Sequence, residues 1–123
     1  MQLPDYTCVL CNSSVEETLA HLLLECNFAQ QCWATLNLQV DLDADPFQIL
    51  QQFKDQLGVS IFMEIIILMS WAIWMARNDL IFRQINPAVP LTLANFKSEM
   101  KMLLLRVKQS YFPEIETWTA SLA

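Results

Sequence analysis

The sequence predicts an all-α protein, and three observations carry that prediction. Glycine occurs once in 123 residues, at Gly58, which leaves a hairpin-rich β fold without its turns. Apolar residues recur at three- and four-residue steps through most of the chain, the spacing of one helix face. Residues 61–76, IFMEIIILMSWAIWMA, form an almost unbroken apolar run that reads as a buried core helix.

Taken in order, residues 1–12 are short and irregular, with Pro4 ahead of a Cys8-Val9-Leu10-Cys11 corner. Ser14 and Glu17 form a capping box and open a helix that carries Leu19, His21, Leu22 and Leu23. Cys26-Asn27 reads as its end. A second helix follows, with Phe28, Ala29, Cys32, Trp33 and Leu36 on one side. Residues 41–46, DLDADP, read as an acidic linker closed by proline. Phe47, Leu50, Phe53 and Leu57 then mark a short amphipathic helix, which Gly58 ends. The long apolar helix occupies about residues 60–84, with a polar Arg77-Asn78-Asp79 tail before Leu80-Ile81-Phe82. Pro87 and Pro90 punctuate the next loop. Thr92 is the expected cap of a helix bearing Leu93, Phe96, Met100, Leu103, Leu104, Val107 and Tyr111, and Pro113 its expected stop. A last turn holds Ile115 and Trp118.

Composition narrows the function. The chain is 54% apolar and 16% charged, with a net charge of −6. That is more apolar surface than one small core easily hides, so a protein partner or a homo-oligomer is expected. A single glycine excludes a Gly-rich phosphate loop. The apolar run of residues 61–76 is shorter than the ~20 residues of a membrane span. It also holds Glu64, whose carboxylate would cost about 2.5–3.5 kcal/mol to insert. Residues 1–5 have neither a basic start nor an apolar run, which predicts an intracellular, reduced protein and no membrane anchor.

In a reduced compartment a cysteine cluster points to a metal or to redox chemistry. Cys8-x2-Cys11-x9-His21-x4-Cys26 has the spacing of a zinc site. Zn²⁺ takes four sulfur or nitrogen donors at tetrahedral corners, about 2.0–2.3 Å away. The Cys8/Cys11 pair supplies two adjacent corners, and a helix bearing His21 with Cys26 just past it supplies the others. Cys32 is the alternative fourth ligand, read instead as a small core residue beside Trp33. A redox Cys-x-x-Cys lacks the strand and βαβ context that such sites use. With four protein ligands the site is closed, hence structural, holding one zinc ion and leaving no position for substrate. The only histidine is committed to it, and no catalytic triad or dyad is left to build. A non-catalytic protein without a small-molecule substrate is therefore expected.

The stretch CVLCNSSVEETLAHLLLECNFAQQCW resembles the zinc-binding region that follows the reverse transcriptase in plant LINE-type, non-LTR retrotransposons. The resemblance lies in Cys8, Cys11, Glu17-Thr18, His21-Leu22, Cys26 and Trp33. WAIWMARNDLIF resembles a Trp-x-x-Trp-x-x-Arg-Asn-x-x-x-Phe stretch found behind that region, at Trp71, Trp74, Arg77, Asn78 and Phe82. The resemblance implies a zinc-binding accessory domain with a nucleic-acid role. Polymerase and endonuclease domains lie outside these residues, so the expectation is a stand-alone fragment of such an element.

The charge map disfavours nucleic acid. Residues 1–45 hold seven acids and no Lys or Arg, and phosphate affinity is drawn from basic side chains. Residues 46–123 are nearly balanced, with seven basic and six acidic residues. Lys97, Lys101 and Lys108 share a predicted helix face that reads as solvated. Trp71 and Trp74 beside Arg77 and Asn78 could stack on bases, but their place in an apolar helix reads as core packing. Arg77 is expected to pair with an acid, and Asn78 to bond backbone in a turn. Glu64 is either solvent-facing or a buried partner of Arg77, Arg83 or Arg106. Ser70 is expected to bond a local carbonyl.

The predicted organisation is one compact unit. Residues 1–40 form a zinc-binding segment, and residues 41–123 form a body of three to four helices packed on it. The predicted function is a protein-interaction module that docks an apolar helical surface on itself or on a partner. The alternative is a nucleic-acid-binding accessory domain.

Overall fold

In the computed structural model of the chain, residues 10, 18, 20–103, 105–106 and 109–122 are described, and all regular structure among them is helical. A π-helical turn, His21–Glu25, leads into α1, Asn27–Ala34. Then follow α2, Pro46–Leu57, α3, Phe62–Arg83, and α4, Val89–Leu103. A 3₁₀ turn, Gln109–Tyr111, precedes α5, Phe112–Ala120. The Ser14–Glu17 capping box lies outside the described residues.

α2 starts one residue earlier than the apolar spacing predicts, because Asp45 and Gln48 make a capping box. The Asp45 carboxylate accepts the Gln48 N–H at 2.8 Å, and the Gln48 side-chain oxygen accepts the Asp45 N–H at 3.0 Å. Pro46, read as the end of a linker, is the first helical residue, where its missing N–H costs nothing. Ile49 and Phe53 are the buried residues of α2, and Phe47, expected on its apolar face, is exposed. Gly58 closes the helix in the left-handed conformation, φ 63°, with its N–H donating to the Lys54 carbonyl. A Cβ there would meet nothing within 4 Å, so the objection to a side chain is purely conformational. Gly58→Ala is expected to lower stability by about 1 kcal/mol, read as a shifted urea midpoint with an unchanged m-value.

α3 lies at the centre, packing on α4, the π turn, α1 and α2. Ile65, Met69 and Ile73 are buried along it and meet a core that includes Trp33, Phe53, Phe96 and Met100. By length and composition alone α3 could cross a membrane, but in this fold one face of it forms the core. Glu64, partly exposed in the first turn of α3, sits where the helix dipole favours a carboxylate. The start of α3 is also held from the far end of the chain. Glu114 of α5 accepts the Ile61 N–H at 3.2 Å and the Ser60 hydroxyl, satisfying an otherwise orphan donor.

Three local expectations are corrected here. Thr92 does not cap α4. The helix begins at Val89, Pro90 sits in its first turn, and Thr92 is buried inside it. α4 ends at Leu103 rather than continuing to Tyr111, which lies exposed in the 3₁₀ turn; Leu104 and Val107 lie outside the described residues. Of the expected lysine face, Lys97 and Lys101 lie on α4, and Lys108 lies outside the described residues. Pro113 opens α5 instead of closing α4. The expected last turn is this nine-residue helix, with Ile115 buried and Trp118 edge-on to Phe96 at 5.9 Å.

Candidate metal centre

His21 and Cys26 are separated by four residues. In an ordinary α-helix that interval turns the second side chain about 140° away from the first. The chain avoids this by winding wider. The Cys26 N–H donates to the His21 carbonyl at 2.6 Å, an i→i+5 bond that stacks residue 26 over residue 21. Both side chains are buried, Cys26 completely and His21 to within 7%. Thr18 starts the turn, its hydroxyl accepting the His21 N–H at 3.0 Å. This gives Thr18 of the quoted motif a physical task.

Two side chains of α1 hold the wide turn open. The Trp33 indole N–H donates to the Leu23 carbonyl at 2.7 Å, and the Gln30 amide donates to the Glu25 carbonyl at 2.7 Å. Trp33 is fully buried and leans on Phe53 of α2 at 4.9 Å between ring centres. It thus joins the π turn to the helical body. Cys26, with φ −57° and ψ 136°, breaks the winding and becomes the N-cap of α1. Cys32, one turn into α1, is buried, and its thiol is pushed up to about 12, first by burial and then by the charge of Cys26. It is a protonated core thiol at neutral pH, as expected of a small packing residue.

Cys8 and Cys11 lie outside the described residues. Among the described residues no group of three or more His, Cys, Asp or Glu is arranged to hold a metal. The described half of the donor set fits zinc: an imidazole and a thiol, buried together and stacked by one backbone bond. Residues 1–33 match the family model described as zinc-binding in reverse transcriptase. This zinc-binding family match spans Cys8, Cys11, His21 and Cys26, and it ends on Trp33, the residue that latches the turn. No curated protein and no solved structure matches the chain.

The other predicted residues lie apart from this centre, on α3. Trp71 is not core: it is 49% exposed. Trp74 is half-buried against the core, and the Arg77 guanidinium lies 4.9 Å above its ring. Asn78 accepts from Arg77 at 3.1 Å, so its side chain serves a neighbouring guanidinium within the helix rather than a turn. Ser70 lines an apolar hollow of about 420 Å³ with Leu23, Ile66, Ile67, Trp71 and Trp74. Sequence reasoning missed three residues here. Gln30 and Glu25 act through a backbone bond and a turn that no spacing rule announces, and Asp45, which caps α2 away from this centre, is legible only as the first residue of a D-x-x-Q capping box.

Proposed function

We propose that the protein is a non-catalytic, zinc-binding protein-interaction module derived from the region behind the reverse transcriptase of a LINE-type element. One structural zinc, held by Cys8, Cys11, His21 and Cys26, would lock the N-terminal segment as a closed site. The outward face of α3 would do the docking. The observation that carries the docking reading is that α3 from Ile65 to Ala76 is apolar apart from Ser70, on its outward side as well as its covered side. Met63, Ile67 and Trp71 follow one another at four-residue steps and stand 46%, 58% and 49% exposed. A helix apolar on every side belongs in an interior. The hollow beside this stripe has no charged side chain in its lining and continues past Leu23, Ile66 and Ser70 into a second apolar hollow of about 380 Å³.

A second copy of this chain is the occupant we favour. Two uncharged α3 faces can meet about a two-fold axis without opposing like charges, despite the net charge of −6. The same negative charge, with no Lys or Arg in residues 1–45, supports a protein partner over nucleic acid. Native mass spectrometry of the full chain tests this reading directly. One zinc per chain in a dimer is expected, and Ile67→Lys, a change at an exposed position, is expected to yield a zinc-loaded monomer. A wild-type chain that stays monomeric at tens of micromolar overturns self-docking.

A further inference from the structure

We infer that Glu25 is the positioning residue for His21, holding the imidazole through Nδ1 so that a metal is bound through Nε2. This rests on the zinc reading above. The Glu25 carboxylate oxygen lies 3.8 Å from His21 Nδ1. The imidazole is almost wholly buried, while the Glu25 side chain is half exposed. Both residues belong to the π turn, and the bond that stacks Cys26 on His21 spans the Glu25 position. The backbone of Glu25 is fixed independently, since its carbonyl accepts the Gln30 amide at 2.7 Å. Its carboxylate therefore stands beside the ring by construction of the turn.

A neutral imidazole has one N–H and one lone pair to give. Where a carboxylate takes the N–H, the other nitrogen is presented to the metal in one tautomer and one orientation, and its basicity rises. At 3.8 Å the Glu25 contact with Nδ1 is an approach rather than a hydrogen bond, and on this inference it closes to bonding distance when the imidazole ligates metal. Glu25 lies between His21 and Cys26 in the chain, yet it is not a ligand in the proposed set.

The protein has one histidine, so its ring nitrogens can be read without assignment ambiguity. In ¹⁵N NMR of the zinc-loaded full chain, the expected result is a protonated Nδ1 and a metal-bound Nε2. Competition against a chromophoric chelator should show Glu25→Gln weakening zinc roughly several-fold and Glu25→Ala about 10- to 100-fold. Glu25→Gln leaves the Gln30 bond to the backbone intact, so the Trp33 indole N–H resonance in the same NMR samples should not move. Zinc bound through Nδ1, or unchanged zinc affinity in both variants, overturns the inference while leaving the zinc reading in place. A chain that takes up no zinc overturns the zinc reading, and this inference with it.

Discussion

Trp33→Ala is expected to lower the unfolding free energy by about 3–5 kcal/mol, the range for removing a buried large aromatic side chain. Trp33 is fully buried, so its removal leaves a cavity between α1 and α2 where Phe53 now packs against it. A second effect is specific to this protein. The indole N–H is the donor to the Leu23 carbonyl, and without it the π turn loses its latch. Trp33→Phe separates the two contributions, since the ring is largely kept and the donor removed. It should lose about 1 kcal/mol, the net contribution of a typical hydrogen bond, because the bond to the Leu23 carbonyl is only part-buried. Zinc affinity should fall in both variants because His21 and Cys26 sit at the two ends of that turn. Urea unfolding and chelator competition on the same samples check both effects. A loss below about 1 kcal/mol for Trp33→Ala would show that the body holds without this contact.

Removing the proposed zinc is expected to have the larger effect. A structural zinc in a small finger contributes on the order of 10 kcal/mol or more at neutral pH, and folding of the finger is coupled to binding. Chelation should therefore abolish amide protection through the π turn and α1. The α3–α4 core, built on Met69, Ile73, Phe96 and Met100, should lose less, because these side chains pack on each other independently of the metal. Hydrogen exchange with and without chelator reads both regions at once. The metal should also be lost as pH falls, because thiolates and a neutral imidazole are the binding forms. Equal protection in zinc-loaded and chelated protein would remove the structural role of the site.

The helical class and the bounds of α2 and α3 are legible because they follow from local rules. Gly58 ends α2 through its left-handed backbone, and the apolar run from Ile61 becomes α3 almost residue for residue. The prolines were misread because the same residue serves two purposes. Pro90 and Pro113 lie in the first turns of α4 and α5, where a missing N–H is harmless, yet in sequence they look like stops. The Glu114 cap on α3 has no local signal, since it joins residues more than fifty positions apart. Trp71 was misplaced for a related reason. Composition records that α3 is apolar, and only packing decides which apolar face is covered. At the candidate site, the spacing of His21 and Cys26 pointed to the pair, but not to the wide turn that four intervening residues require.

That turn makes the separation of the two residues and the winding of the backbone a single variable. A chain with three residues between histidine and cysteine would stack them on an ordinary α-helical turn, as i and i+4. With four, the same superposition requires the helix to absorb one extra residue as a local bulge. An insertion of this kind, which elsewhere would rotate every downstream side chain out of register, is confined here to five residues. It ends at Cys26, where the extended backbone lets α1 begin afresh with its own phase. The core contacts of Phe28, Cys32 and Trp33 are thereby insulated from a change in length one turn upstream.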